Sequence, residues 1–262
     1  KQTFIVENKA GAGGNVGADA VAKSPPDGYT VLFGIDTAFT VNPHIYKTLP
    51  FKPSDLKPLL VMGSSGLLIG AHPSTGFKTL RDLVAAGKTR PLNFSSGGNG
   101  SPGHLAVEVF MDAAGIQIQH VPYKGNTPAV TAVVAGEVDA GVLATPGMLP
   151  HVKAGRIHAL AVTSRQRSKM APDLPTVSEV GLKELELEVL YVAMVPSATP
   201  DAVVQILQNA MKEALLRPDI QARLANLDLF YEGLLGEAAQ KRMNDLSTRY
   251  ARIVKATGMQ PE

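Results

Sequence analysis

The sequence predicts an α/β protein. Short runs rich in β-branched residues alternate with longer segments whose apolar residues recur at helical spacing. The 262 residues include 25 glycines and 19 prolines, a content that indicates many turns between such elements. Four of the helical segments begin with the same kind of pair, a serine or threonine followed by proline. This pattern favours an α/β fold over a helical bundle or a β-sandwich.

Nine segments have the composition of strands, and helices are expected between them. No long linker divides the sequence, so any two domains must be joined through ordered elements. The best candidates for such crossings are the apolar runs around 63–71 and the long run 186–195, and two crossings imply a discontinuous domain. The predicted strands are 4–7, 30–33, 58–62, 67–71, 92–94, 119–121, 140–143, 158–163 and 186–195.

The Ser/Thr-Pro pairs predict helix starts. The hydroxyl accepts a hydrogen bond from a free N–H group, and proline fits the first helical position because its missing donor would have no partner there. A solvated face is predicted for the last helix, opposite its apolar stripe, and a solvent-facing strand side for the glutamates 184, 186 and 188. The pairs are 101–102, 127–128, 145–146 and 199–200, and the solvated face holds Arg242, Arg249, Arg252 and Lys255.

The composition excludes several classes of function. Lys and Arg number 25 against 23 Asp and Glu, so the net charge of +2 does not favour nucleic-acid binding. The absence of cysteine excludes disulfides, cysteine-ligated zinc and cysteine nucleophiles. The six histidines form no metal-binding motif, and no apolar run approaches the ~18 residues of a membrane helix. The chain has no initiator Met or basic, apolar leader and is interpreted as processed or trimmed.

Two glycine-rich loops are candidate anion sites. The first, around Gly11–Gly17, fails as a dinucleotide motif because Val16 stands where glycine is needed, and both an anion site and a tight turn remain open. The second, 95–100, follows a strand and precedes a helix that begins near Ser101. Its small residues, two serine hydroxyls and helix N-terminus predict binding of a carboxylate or phosphate.

Three further loops occupy equivalent places after strands, at 34–39, 123–128 and 144–147. Asp36 in the first is a candidate to orient an amine or hydroxyl of a ligand, and an Asx turn is the equal alternative. A serine hydrolase is disfavoured, since Asn99 interrupts the G-x-S-x-G pattern around Ser101 and Pro102 lacks the N–H of an oxyanion hole. His104 and Glu108 are interpreted as a helical pair at i, i+4.

Taken together, several segments resemble the extracytoplasmic receptors of the tripartite tricarboxylate transporter family (TctC), also called Bug receptors. Order and spacing agree along the whole chain, although each piece alone is a weak signal. The segments are VENKAGAGGN at 6–15 with Gly17-Ala18, PDGYT at 26–30, the loop 93–100 with Ser101, Pro102 and His104, VPYKG at 121–125, GRIHALAVT at 155–163 and LPTVSEVG at 174–181.

The resemblance implies a periplasmic solute-binding protein, with its signal peptide removed, whose two α/β lobes close over a small carboxylate, a type II periplasmic-binding-protein-like fold. It implies one lobe of residues 1–71 and 190–262, a second lobe of 72–189, and no metal or cofactor. The implied partners are a di- or tricarboxylate, amino acid or aromatic acid, and integral-membrane transporter subunits. The implied ligand contacts are Gly34, Asp36, Thr37, Ala38, Ser95, Ser96, Gly97, Asn99, Gly100, Ser101, His104, Tyr123, Ala144 and Thr145.

One departure and two alternatives accompany this interpretation. Family members usually begin with a further strand, ligand loop and helix before the position of Phe4, and this sequence lacks them. One alternative is a ligand-dependent receptor that signals to a membrane sensor instead of feeding a transporter. The other is an enzyme acting on an acyl or phosphoryl group with Ser101 and His104, which are three residues apart on one helix.

Overall fold

The computed structural model describes residues 3–259, which form two β-sheets flanked by helices. The first sheet has four strands in the order β1-β8-β2-β9, and the second has five in the order β5-β4-β6-β3-β7. The strands are β1 (Leu32–Ile35), β2 (Leu56–Ser65), β3 (Leu67–Ala71), β4 (Leu92–Ser96), β5 (Ile118–Pro122), β6 (Ala140–Ala144), β7 (His158–Val162), β8 (Val189–Pro196) and β9 (Phe230–Leu235).

Ten α-helices are formed within the described residues, most of them between strands as the sequence predicts. No helix among residues 3–259 is both long and apolar enough to cross a membrane. The helices are α1 (Asn15–Ala22), α2 (Thr37–Thr40), α3 (Asn42–Ile45), α4 (Leu80–Gly87), α5 (Pro102–Ala114), α6 (Asn126–Ala135), α7 (Thr145–Lys153), α8 (Asp201–Leu215), α9 (Pro218–Asn226) and α10 (Gly236–Thr257).

The first sheet is built around β8. Its residues are almost all buried, and it pairs antiparallel with β1 on one side and β2 on the other. β9 completes the sheet beside β2, where Gly63 lies opposite Tyr231. α10 packs against β2 and α2, and its buried residues Met243, Leu246 and Tyr250 belong to the main core.

The second sheet is mixed. β4 runs parallel to β5 and to β6, whereas β3 runs antiparallel to β6 and β7. The carboxyl ends of β4, β5 and β6 therefore lie at one edge of the sheet, and α5, α6 and α7 each begin after one of these ends. This arrangement brings three helix N-termini to the same edge.

The chain crosses between the two sheets twice, directly from β2 to β3 and again between β7 and β8. Thr163 joins the crossings, because its hydroxyl donates to the Leu187 carbonyl at 2.7 Å and accepts the Leu67 N–H at 2.8 Å. β3 belongs to the second sheet, so the predicted boundary after Ala71 falls at the far end of a strand that pairs with β6 and β7. The sheets divide the chain between β2 and β3.

A second set of contacts joins the sheets at the edges formed by β7 and β9. The hydroxyl of Ser168, which follows β7, donates to Asp228 Oδ1 at 2.7 Å, and both residues are buried. The ammonium group of Lys169 lies 5.5 Å from the centre of the Phe230 ring. β7 and β9 are the edge strands of their sheets, and β5 and β1 are the edge strands on the opposite sides.

The predicted strands are confirmed within a few residues, except at the beginning of the chain. The predicted strand 4–7 is wrong: this segment is irregular, and Phe4, Ile5 and Val6 are at least 84% exposed. It has the β-branched composition of a strand, but it pairs with no strand among the described residues. The reverse error occurs at β9, whose half-buried residues alternate too weakly to reveal a strand.

Of the four predicted capping pairs, only the first has a capping hydroxyl. Ser101 Oγ accepts the His104 N–H at 3.3 Å, with Pro102 at the first helical position. α6 and α7 begin at or before the predicted threonine, and α8 begins after Pro200, so those helices have no side-chain cap. Backbone geometry, which the residue pair alone does not reveal, decides whether the hydroxyl reaches an N–H group.

The predicted solvated face of α10 is wrong at Arg242. Its guanidinium is 19% exposed and pairs with Glu188 at 2.8 Å and Glu232 at 3.1 Å. The Glu188 side chain, predicted to face solvent, is only 14% exposed for the same reason. Arg249 donates to the carbonyl of Glu186. α10 therefore holds the segment before β8 through its arginines as well as through its apolar stripe.

We expect Gly63→Ala to destabilise the first sheet. A Cβ at this position would lie 2.4 Å from the Phe230 carbonyl oxygen, so β2 and β9 must separate. Overpacking of this kind costs about 1–3 kcal/mol in the free energy of unfolding. The control is Gly34→Ala in β1, where the nearest atom would be 3.8 Å away. Chemical denaturation should show a loss for Gly63→Ala alone, and equal effects would contradict the argument.

Candidate functional site

Three loops meet at the edge of the second sheet where β4, β5 and β6 end. The Asn126 side chain joins two of them, because its Oδ1 accepts the Ala144 N–H at 3.0 Å. The third loop joins through backbone, since the Gly125 N–H donates to the Gly97 carbonyl at 3.1 Å. The structure thus brings together the predicted site residues between Ser95 and Thr145.

The two serines that end β4 are fully buried and are used to build this edge. Ser95 Oγ donates to the Ala129 carbonyl at 3.0 Å and thereby ties β4 to α6. Ser96 Oγ lies 2.5 Å from His120 Nε2 and accepts the Gly98 N–H at 3.1 Å. Both hydroxyls therefore have partners within the protein, and their effect on a ligand is to fix the glycine backbone that follows.

His104 holds the other end of the same loop. Its Nδ1 accepts the Gly100 N–H at 3.2 Å, and its Nε2 lies 3.5 Å from Glu108, so the predicted pair at i, i+4 is formed. The His104 ring stacks on His120, with ring centres 4.1 Å apart and planes 6° from parallel. Burial, with a contribution from His104, lowers the pKa of His120 to about 4.

The remaining predicted residues of the second sheet lie in the same loops. Asn99 and Ser101 are half-buried in the loop that starts α5, and Ser101 Oγ is occupied as the helix cap. The Tyr123 hydroxyl is directed to Glu137 at 3.3 Å, so only its backbone borders the loop: a Cβ at Gly98 would lie 2.9 Å from the Tyr123 carbonyl oxygen. That close approach, with a φ of +120° at Gly98, requires glycine there.

The first sheet contributes the segment from Gly34 to Ala38, where β1 ends and α2 begins. Asp36 is fully buried and fixes this junction: its carboxylate accepts the Leu190 N–H at 2.8 Å and the Thr40 hydroxyl at 2.7 Å. Burial raises its pKa to about 6, against the opposing effect of these hydrogen bonds. The structure therefore gives Asp36 a positioning role, holding the start of α2 against β8.

Two predicted site residues keep a free hydroxyl. Thr37 Oγ1 at the start of α2 and Thr145 Oγ1 at the start of α7 are buried and have no hydrogen-bond partner among the described residues. A buried polar group without a partner is costly, so such groups mark places where a ligand or water completes the structure. One hydroxyl comes from each sheet.

Sequence reasoning missed Asn42, at the start of α3. It is fully buried, and a Cβ added to Gly100 would lie 3.1 Å from its Oδ1. The two lobes therefore touch at this point, with Asn42 on one side and the glycine loop on the other. The only local pattern around Asn42 in the sequence is the Asn42-Pro43 pair, which indicates a turn and gives no information about function.

The first glycine-rich loop packs on the same part of the first lobe. The Gly13 carbonyl accepts a hydrogen bond from Asn42 Nδ2 at 3.1 Å, and a Cβ at Gly14 would lie 3.7 Å from that of Ala38. The anion and turn interpretations of this loop both remain compatible with its geometry. Its position beside Ala38 and Asn42 makes it a support for the α2–α3 segment.

The site has the chemistry of anion binding and lacks an arrangement for nucleophilic attack. Small residues leave backbone accessible beside three helix N-termini, whose partial positive charge favours an anion. Both ring nitrogens of His104 face other partners, so neither is available as a base for Ser101. Within the described part of the chain no group of three metal-binding side chains is present.

Two sheets joined by two crossings, with anion-binding loops at facing edges, define a two-lobed solute-binding receptor. The model of the tripartite tricarboxylate transporter family receptor matches residues 1–259. The chain belongs to this family. A UPF0065 protein of Bordetella pertussis is 33% identical over all of this chain and 81% of its own length. Protein BugT from the same species is 35% identical over 82% of this chain and 67% of its own.

Solved structures agree with this assignment. An R. palustris protein solved with adipate superposes with a TM-score of 0.93 at 29% identity and covers all of this chain and 88% of its own. The periplasmic binding protein BugD superposes with a TM-score of 0.87 at 28% identity, covering 98% of this chain and 88% of its own. The predicted family and two-lobed fold are confirmed.

We expect the His120 imidazole to titrate near pH 4, because it is buried against His104. The unfolded chain protonates this group near pH 6.5, so the free energy of unfolding should fall as the pH drops from about 6.5 to about 4. NMR titration of the ring measures the midpoint directly. In His104→Gln the midpoint should rise only in part, since burial is the larger cause. A midpoint near 6.5 in the unchanged protein would contradict the packing described.

Proposed function

We propose that this protein is a periplasmic receptor that captures a small carboxylate between its lobes and delivers it to the membrane subunits of a tripartite transporter. The lobes follow the two sheets, with β1, β2, β8 and β9 in one and β3 to β7 in the other. The carboxylate lies against the glycine loop between Ser95 and Ser101. The chain acts by binding and closure, and no bond in the ligand is broken.

The observation that carries this proposal is the pair of free, buried hydroxyls, Thr37 Oγ1 and Thr145 Oγ1, one from each lobe. A hydroxyl donates well to a carboxylate, and a charged acceptor makes such a bond about twice as strong as a neutral one. Because the hydroxyls belong to different lobes, one ligand contacting both would favour the closed arrangement. Adipate bound to the R. palustris relative supports a carboxylate as the ligand class.

The other implied contacts divide by role. Gly34 and Gly97 offer backbone, while Ala38 and Asn99 border the same space. The N–H groups of Gly100 and Ala144 already donate to His104 Nδ1 and Asn126 Oδ1, so these two residues fix the loops. Asp36, Ser95, Ser96, Ser101, His104 and Tyr123 position those elements through the hydrogen bonds described above. This division explains how an anion site can lack an arginine: the helix N-termini and the two free hydroxyls replace one strong charge.

The alternative of a signalling receptor shares the same site and differs only in the partner. The arrangement of Ser101 and His104 gives no support to the hydrolase alternative, since the histidine has no free ring nitrogen for the serine. Pull-down of transporter subunits with and without ligand would separate transport from signalling.

A thermal-shift screen tests the proposed function. We expect one class among mono-, di- and tricarboxylates, amino acids and aromatic acids to raise the Tm, because a ligand that binds only the folded state stabilises it. The gain is about 2.7 kcal/mol when free ligand is 100 times its Kd. Phosphate and nucleotides are the controls. A response to nucleotides alone, or to none of the carboxylates, would contradict the proposal.

Thr145→Val should weaken binding of whichever carboxylate is found. The change is nearly isosteric and removes only the free hydroxyl, so we expect a loss of about 1.5–3 kcal/mol, a factor of ten or more in Kd. Thr199→Val is the matched control, because Thr199 Oγ1 is equally buried and without a partner in the described structure, but lies before α8. Calorimetry should show unchanged affinity for the control. Equal losses in the two variants would remove Thr145 from the site.

Gly100→Ala should also weaken binding, by opposing closure. The new Cβ would lie 3.1 Å from Asn42 Oδ1 across the lobes, at a residue whose φ is +75°. The control Gly115→Ala carries the same kind of backbone strain, with φ at +61°, but meets nothing within 4 Å. Both variants should lose stability, and only Gly100→Ala should lose affinity. Unchanged affinity in Gly100→Ala would contradict closure at this contact.

A further inference from the structure

We infer that the preferred ligand carries a hydrogen-bond donor, a hydroxyl or ammonium group, beside its carboxylate, and that Asn42 Oδ1 accepts from it. This inference rests on the proposed function and narrows its ligand class. It distinguishes hydroxy and amino acids from plain carboxylic acids of the same length.

Asn42 Oδ1 is an acceptor held in place without a partner. Asn42 is fully buried, and its Oδ1 makes no hydrogen bond within residues 3–259. The amide nitrogen, by contrast, uses both of its hydrogens: it donates to the Gly13 carbonyl at 3.1 Å and to Asn15 Oδ1 at 2.7 Å. The amide nitrogen is therefore fully hydrogen-bonded, whereas the amide oxygen lacks a donor.

The orientation of this amide is fixed by its surroundings. Rotation by 180° would place the amide oxygen against the Gly13 carbonyl, which is backbone and can only accept. Two acceptors would then face each other without a proton between them. The nitrogen is therefore the atom that faces the Gly13 carbonyl and Asn15 Oδ1. The oxygen lies between the two glycines, 3.4 Å from a Cβ added to Gly13 and 3.1 Å from one added to Gly100 in the other lobe.

The chemistry of an ionised carboxylate does not fit this oxygen. A carboxylate only accepts hydrogen bonds, so it suits the hydroxyls of Thr37 and Thr145 and repels Asn42 Oδ1. A plain dicarboxylate leaves the amide oxygen unpaired in a closed, water-poor contact, whereas a hydroxyl or ammonium on the ligand supplies the missing proton. Sites built around such a hydrogen bond discriminate strongly against analogues that lack the donor.

The test compares matched acids on the unchanged protein by calorimetry. The sets are succinate, malate and aspartate; glutarate, 2-hydroxyglutarate and glutamate; propionate, lactate and alanine; and benzoate and salicylate. We expect at least one acid with a donor to bind about tenfold or more tightly than its plain counterpart. Equal affinity, or a preference for the plain acid in every set that binds, would overturn the inference while leaving the proposed function intact. Failure of every carboxylate, in these sets and in the thermal-shift screen, would overturn both.

Two variants separate the acceptor from its structural role. Asn42→Leu keeps the approximate size and removes the oxygen, so the ratio between hydroxy and plain acids should fall towards one. Asn15→Ala removes a partner of the Asn42 nitrogen but leaves Oδ1 in place, so this control should keep the ratio of the unchanged protein. A ratio that survives in Asn42→Leu would assign the discrimination to another group. Because the readout is a ratio, a general loss of stability does not imitate it, and a variant that fails to fold leaves the ligand comparison as the deciding result.

Discussion

The parallel pairing of β4 with β5 and β6 is the constraint on which the site depends. Parallel strands end at the same edge, and each of these strands leads into a helix, so three helix N-termini converge there. The partial positive charges of the helices therefore act at one place. The loops must then be short and rich in small residues, since the convergence leaves little room. Glycine at Gly98, where a side chain would meet the Tyr123 carbonyl, satisfies that requirement.

Most polar side chains at this edge of the second sheet form their hydrogen bonds within the protein. Ser95 donates to a carbonyl of α6, and Ser96 contacts His120. The His120 ring stacks on that of His104, which holds the glycine loop. Such a network gives a rigid backbone in which few polar atoms remain free. In the function proposed above, selectivity between solutes depends on these few atoms.

The sequence alone located the loops but not the roles within them. Strands and helix starts follow from local patterns, and the family resemblance correctly indicated the two-lobed fold. Asn42 was missed because its importance comes from contacts with Gly13 and Gly100, which are distant in sequence. Arg242 was assigned to solvent because helical periodicity does not reveal that two glutamates from other elements pair with it. The segment around Phe4 shows the opposite error, a predicted strand that is not formed. Its strand-like composition is not sufficient without a neighbouring strand to pair with.

The hydrogen bond from Ser168 to Asp228 has a consequence for the energetics of closure. Together with the two crossings, it joins the lobes on the side of the edge strands β7 and β9, so the two halves of the site belong to one linked unit. The translational and rotational entropy of bringing the two halves of the site together is therefore already lost when the chain folds. Binding of a small solute, which makes only a few contacts, therefore does not have to offset this entropy loss. Differences in those few contacts can then discriminate between solutes.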